Sequence, residues 1–198
     1  MRQHADAFLW RWLIEGLATR ASLLNRTFKN VYACAPTPML QARLAAARPD
    51  WAFTDSSDGC DAHIMLGLPA VANDVPGLLQ TAEHNLQEGG VFLCAFYGGD
   101  TLAELRTALL EAEAQVSGGA AVRVAPTIDA GTATTLLQRA GFALPVTDHE
   151  MWQASYADLW ALVRDLRAAN MHAVLADCRP MPRALPQAAD AAYRAAFA

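Results

Sequence analysis

Residues 89–106 constrain the fold of this chain more than any other stretch. Gly89 and Gly90 precede five apolar residues, which predict a short buried strand. The strand leaves through Gly98-Gly99 into Asp100-Thr101, a helix start signal at which Glu104 would complete a capping box from Thr101. A strand that ends in glycines and turns directly into a helix is typical of the ligand-binding edge of an open α/β sheet.

Composition limits the classes of protein that the chain can be. Of its 198 residues, 54% are hydrophobic and 18% are charged, which predicts one globular domain over residues 1–198. A formal charge of −5 argues against nucleic acid as a partner, and no run of about 18 apolar residues predicts a membrane span. The four cysteines form no Cys-x-x-Cys pair, which favours free thiols in a reducing cytoplasm and no metal site.

Helical and strand patterns alternate along the chain. Short apolar runs predict strands at residues 28–35, 51–54, 62–66 and 91–95. Helical spacing predicts helices at residues 7–24, 39–47, 75–86, 101–116, 132–140, 156–169 and 187–197. Residues 142–150 read as an edge strand or a loop, because Pro145 cannot donate to a ladder. The alternation predicts an α/β fold around a mostly parallel sheet.

Four segments in order resemble one branch of the class I S-adenosylmethionine-dependent methyltransferase fold. They are a strand at residues 60–66, the motif at residues 97–106, a leucine-rich helix with its exit at residues 136–145, and Tyr156 with the helix at residues 159–167. The branch contains the methyltransferase-like assembly factors of respiratory complex I and is related to the carboxyl methyltransferase of biotin synthesis. The resemblance implies a Rossmann-like sheet with helices on both faces, with residues 61–198 family-like and residues 1–60 divergent.

The resemblance also assigns expected roles to particular residues. The cofactor S-adenosylmethionine would lie against Ala33, Cys34, Ala35, Asp55, Met65, Leu66 and Gly67. The substrate side would contain Tyr97, Asp100, Thr101 and Arg106, with Tyr97 as the candidate catalytic residue. A capping cluster is an alternative for Asp100, Thr101 and Glu104, and a hydrogen-bonded core position is the favoured interpretation of His63.

The N-terminal part departs from the family. Members normally carry a first strand that ends in an acidic residue and a Gly-x-Gly turn, which lets the backbone approach the cofactor. Residues 30–38 contain no glycine and no carboxylate, while Pro36 and Pro38 fix φ and remove N–H donors. The chain also reads as one strand–helix unit short in this region and lacks a closing β-hairpin, so the fold is shortened relative to the family.

Three hypotheses follow. The first is a methyltransferase-family pseudoenzyme or accessory protein, impaired in cofactor binding, that recognises a protein or a small carboxylic substrate. The second is an active methyltransferase that holds the cofactor through Met65, Leu66, Gly67 and an atypical loop at residues 33–37. The third is a structural module that forms a homodimer through strand edges or apolar helices.

Overall fold

The computed structural model describes residues 8–35, 37–172, 175 and 179–197, and these group into two compact units. The first, the sheet unit, lies within residues 8–99 and 128–149. The second, the helical unit, lies within residues 100–127 and 150–197.

The sheet unit alternates helices with strands. Its elements are α1 (Phe8–Ser22), β1 (Val31–Cys34), α2 (Pro38–Ala47), β2 (Phe53–Thr54), β3 (Cys60–Leu66), a 3-10 turn (Leu68–Ala70), α3 (Val75–His84), β4 (Leu86–Ala95) and α5 (Ala130–Ala140). The four strands form one parallel sheet in the order β2-β1-β3-β4. This arrangement confirms the predicted α/β, Rossmann-like class, and no strand follows β4 in the described part of the chain.

The core of the sheet unit centres on β3. All seven residues of β3 are buried, as expected for a strand with neighbours on both sides and cover on both faces. Trp10, Ile14 and Leu17 form the buried side of α1, and α1 packs against β4. Their three- and four-residue spacing places them on one helical face.

The strand β4 begins earlier than predicted, because the helix before it ends at His84 rather than at residue 86. Cys60 pairs with Leu86, whereas Ala62 pairs with Val91, so the extra residues of β4 bulge out of the ladder. Gly89 lies in this bulge with φ of +71°, a conformation that suits glycine. The prediction of a turn at Gly89 and Gly90 before the strand is therefore wrong, because both glycines lie within β4.

The helix α5 begins at Ala130, two residues before its predicted start, and ends at Ala140 as predicted. The carboxylate of Asp129 accepts a hydrogen bond from the backbone N–H of Thr132 at 2.8 Å, and Gly141 closes the helix with φ of +107°. Residues 142–150, after it, form no strand, so the loop alternative is the one observed.

The helical unit contains α4 (Ala103–Ser117), α6 (Leu159–Ala168) and α7 (Leu185–Phe197), and α7 packs on both α4 and α6. The predicted start of α6 at residue 156 is wrong. Asp158 caps the helix instead, accepting from the backbone N–H of Ala161 at 2.7 Å, and Asp190 of α7 accepts from that of Leu159 at 3.1 Å. Two carboxylates thus satisfy donors that the first turn leaves free.

Candidate functional site

The sheet has one topological switch point, between β1 and β3. The chain leaves β1 toward β2 on one side, and it leaves β3 toward β4 on the other. In open α/β sheets, the crevice at the carboxyl ends of such strands is the usual ligand position. The candidate site is therefore the edge where β1 and β3 end.

The structure brings the predicted cofactor residues to this edge. Cys34 and Met65 are register partners on β1 and β3, and Tyr32 pairs with Thr54 of β2. The ends of three adjacent strands therefore carry all seven residues, namely Ala33, Cys34, Ala35, Asp55, Met65, Leu66 and Gly67.

The packing of this edge is tight. The side chain of Met65 is 1% exposed and that of Leu66 is fully buried, while Asp55 lies exposed in the loop after β2. The side-chain amide of Gln41, on α2, donates a hydrogen bond to the carbonyl of Ala33. A side chain of α2 thus forms a hydrogen bond with the main chain of β1 at the end where a cofactor loop would begin.

Cys34 and Ala35 retain partial exposure at the same end of β1. Burial raises the pKa of the Cys34 thiol, and a hydrogen bond with Tyr32 opposes the shift. Cys34 is therefore a protonated thiol at neutral pH rather than a nucleophile. Pro36, one of the two prolines of the predicted obstruction, lies outside the described residues.

Neither cavity found in the described part of the chain offers room for S-adenosylmethionine at this edge. Ligand pockets in proteins commonly measure about 300–1,000 Å³. Two cavities in the described part of the chain measure about 30 and 100 Å³, and neither is lined by the seven predicted cofactor residues. We therefore derive no methyl-transfer step from this geometry.

The 30 Å³ cavity lies beside β4 in the sheet unit and is apolar. It lies among Pro69, residues of β4 and Phe96, Ile128, and side chains of α3 and α5. Its volume holds about one or two waters. Burial raises the pKa of Cys94, in its wall, to about 12, so this thiol is neutral as well.

A row of aromatic rings crosses the same face of the sheet. Tyr32, His63 and Phe92 are register partners on β1, β3 and β4, and their ring centroids are 5.0 and 5.9 Å apart in turn. Phe92 also stacks on Phe142 at 4.8 Å. Single-strand patterns do not reveal such a row, because it depends on the strand register.

His63 in this row is a core residue, as predicted. Its side chain is 4% exposed, and burial lowers its pKa against an opposing backbone hydrogen bond with Ala82. The Nδ1 atom of the ring has no hydrogen-bond partner, so the prediction of a hydrogen-bonded histidine holds for part of the ring only. A buried neutral imidazole without access to solvent is a poor general base.

Tyr97, the candidate catalytic residue, lies just beyond the end of β4. Its hydroxyl donates a hydrogen bond to the carbonyl of Leu9 in α1, at 2.6 Å. The contact ties the first turn of α1 to the end of β4. In this arrangement the hydroxyl acts as a structural donor.

The glycines after Tyr97 have a packing reason of their own. A Cβ built on Gly98 would lie 2.3 Å from the carbonyl oxygen of Ile128, and the N–H of Gly99 donates to the same oxygen at 3.0 Å. Gly99 also has φ of +56°. These glycines make room for the backbone of residue 128, whereas the sequence pattern indicates room for a ligand.

The remaining substrate-side predictions lie in the helical unit. Asp100 is exposed, and its carbonyl accepts from the N–H of Ala103. The predicted capping box from Thr101 is wrong: the helix is preceded by Leu102 in a left-handed conformation, without a side-chain cap. Arg106, one turn into α4, is half-buried and donates to the carbonyl of Thr101 at 3.4 Å.

One structural residue escaped prediction at the opposite end of β3. The buried carboxylate of Asp61 accepts from the backbone N–H groups of Lys29 and Asn30, at 2.7 and 3.0 Å. An acidic residue at the start of an apolar strand was the available signal. Asp61 fixes the entry of β1 against β3.

Two general findings concern the described residues as a whole. They contain no group of three or more His, Cys, Asp or Glu side chains that could hold a metal ion. Nor does any helix within them have the length and apolarity needed to cross a membrane.

Comparison with known proteins identifies relatives for half of the chain. The mitochondrial arginine-hydroxylase NDUFAF5 of Mus musculus and that of Homo sapiens are each 37% identical over 95 residues, which is 48% of this chain and 28% of each relative. The malonyl-[acyl-carrier protein] O-methyltransferase of Xylella fastidiosa (strain M23) is 35% identical over 95 residues, 48% of this chain and 30% of that protein. No family model matches the chain.

The matched half is homologous to this methyltransferase-like branch. The similarity confirms the resemblance to this branch, since both the complex I assembly factor and the methyltransferase of biotin synthesis are represented among the relatives. The match spans less than a third of the length of these proteins.

Proposed function

We propose that the chain is a methyltransferase-family protein with degenerate cofactor binding, acting as a cytoplasmic pseudoenzyme or accessory protein that recognises a protein or a small carboxylic substrate. The observation that carries the proposal is the packing at the end of β1. There the Gln41 amide donates to the Ala33 carbonyl, and Met65 is only 1% exposed.

The names of the relatives support a role in recognition rather than one particular reaction. One relative is named for hydroxylation of arginine and the other for methylation of malonyl-[acyl-carrier protein]. A shared fold with two chemistries does not define the reaction of a third member. The second name, however, denotes an action on a group that a protein carries.

The substrate side proposed for this chain comprises Tyr97, Asp100, Thr101 and Arg106. Tyr97 would act mainly by holding α1 in place, because its hydroxyl already donates to Leu9. Arg106 contributes a positive charge for a carboxylate. These roles require no bound nucleotide.

Calorimetric titration tests the proposal. S-adenosylmethionine and S-adenosylhomocysteine are each titrated into the purified chain up to about 1 mM, and we expect no saturable heat. Dissociation constants in the micromolar range would refute degenerate binding and favour the active enzyme. In that case Asp55→Asn should weaken binding, because a carboxylate there would hold the ribose hydroxyls, whereas Asp58→Asn in the same loop should leave it unchanged.

A second candidate function, homodimerisation, rests on the edge of the sheet. β4 is the last strand in the sheet order, and its residues 91–95 are apolar and partly exposed, unlike the fully buried β3. An apolar edge without charge or proline is prone to pair with another strand. Light scattering over a concentration series tests this idea: a dimer is expected, and a strictly monomeric chain at high concentration would exclude it.

A further inference from the structure

The helical unit contains a small groove that none of the relatives' names explains. We call it the α4 groove. It is lined by Arg106, Leu109 and Leu110 of α4 and by residues 121–124, and its volume is about 100 Å³. Leu110 and Val122 are 41% and 64% exposed, so the groove opens to solvent along apolar walls.

A buried ion pair holds the second wall in place. The guanidinium of Arg123 contacts both carboxylate oxygens of Glu113, each at 3.2 Å, and the two side chains are only 3% and 6% exposed. Arg123 also donates to the carbonyls of Arg179 and Pro180. The pair fixes residues 121–124 beside α4 and neutralises its own charge.

Arg106 gives the groove a positive charge that is not neutralised. Its guanidinium donates to the carbonyl of Thr101 at 3.4 Å, and it pairs with no carboxylate among the residues described. A guanidinium has five N–H donors in a planar fork that matches a carboxylate. The groove therefore combines an apolar floor with a cation that can accept an acidic group.

The dimensions of the groove select the kind of occupant. A space of about 100 Å³ is well below the 300–1,000 Å³ typical of small-molecule pockets, but it is adequate for one aliphatic side chain. A single cation beside apolar walls also differs from the basic surface that nucleic acid requires. A peptide segment meets both demands when an aliphatic residue is followed by a carboxylate.

We propose that the α4 groove binds a segment of a partner protein in which an aliphatic side chain lies next to an aspartate or glutamate. The aliphatic group fills the space between Leu110 and Val122, and the carboxylate pairs with Arg106. The proposal deepens the proposed function, on whose recognition of a protein it rests, by naming the chemistry of the segment.

Methyl NMR provides the test. The chain, labelled at Leu and Val methyl groups, is titrated with acetyl-Ala-Leu-Glu-Ala-amide and, as a matched probe, with acetyl-Ala-Leu-Gln-Ala-amide. We expect saturable shifts of the Leu110 and Val122 methyls, with the Glu peptide binding about threefold to tenfold more tightly. Arg106→Gln should remove that preference, and Val122→Asp should abolish both titrations.

The controls separate this proposal from its alternatives. Leu144→Asp changes an exposed apolar residue outside the groove and should leave both titrations unchanged. Absence of saturable shifts, equal affinity for the two peptides, or an equal response to sodium acetate alone would overturn the proposal. A failed peptide titration does not alter the calorimetric result for S-adenosylhomocysteine, so the two proposals fail separately.

Discussion

Replacing Gly98 by alanine should destabilise the sheet unit, because the space for a Cβ is already occupied. The new carbon would lie 2.3 Å from the carbonyl oxygen of Ile128 and 3.1 Å from a ring carbon of Phe96. The first contact involves backbone, which cannot rotate away as a side chain can. Either β4 or the segment at residue 128 must therefore move.

The magnitude follows from three contributions. Forcing an extra carbon into packed structure costs about 1–3 kcal/mol. Moving the segment also weakens the hydrogen bond from Gly99 to Ile128, worth about 0.5–1.5 kcal/mol. Replacing glycine stabilises by about 0.4–1 kcal/mol through the unfolded chain. We expect a net loss of about 0.5–4 kcal/mol in the free energy of unfolding.

Urea denaturation followed by circular dichroism measures this loss, and Gly119→Ala is the matched control. A Cβ on Gly119 meets no atom within 4 Å, so that variant should match the wild type or gain about 0.4–1 kcal/mol. Equal midpoints for the two variants, at unchanged slope, would show that the glycine at position 98 has no packing role.

Three further changes test the site from the same structure. Burial lowers the pKa of His63 below its ordinary 6.5, so the unfolded chain binds a proton at this histidine at higher pH than the folded chain does. The free energy of unfolding should therefore be constant above pH 6.5 and fall as the pH drops below it. In pH-dependent urea titrations His63→Phe should reduce this loss of stability at acid pH, and an unchanged slope would contradict the prediction. Asp61→Ala leaves two part-buried N–H groups without their acceptor and should cost about 1–3 kcal/mol of unfolding free energy in urea titrations. The exposed Asp58→Ala should cost less than about 0.5 kcal/mol, and similar losses for the two variants would refute the anchoring role. Tyr97→Phe removes the hydrogen bond to Leu9 and should cost about 1 kcal/mol of unfolding free energy, and a variant as stable as wild type would argue against this structural role.

The strand–helix alternation was predictable because it follows from local apolar spacing. The capping box was not, since Leu102 adopts a left-handed conformation that no propensity favours for leucine. The start of β4 was missed for a related reason. Gly89 and Gly90 are typical of a turn, and only pairing with β3 shows that they form a bulge instead.

The candidate site, too, could be predicted from the sequence only in part. Parallel strands end at one edge, so the sequence could place Cys34, Asp55 and Met65 near one another. The contact of Gln41 with the Ala33 carbonyl depends on how α2 packs, which spacing does not reveal. Tertiary contacts of this kind decide whether an edge of the expected topology is open.

The composition of the β1–α2 connection gives a physical argument for closure at this edge. A cofactor loop needs glycine for close approach, and each glycine costs stability by widening the unfolded ensemble. The connection at residues 35–37 has no glycine, and α2 begins at Pro38, a helical position that proline favours. Each such residue stabilises the fold by restricting the unfolded chain, by about 0.4–1 kcal/mol where its conformation is compatible. Gln41 adds a hydrogen bond to a carbonyl that an open loop would leave to solvent or ligand. Under the proposal of degenerate cofactor binding, the features that would oppose nucleotide binding thus also favour folding.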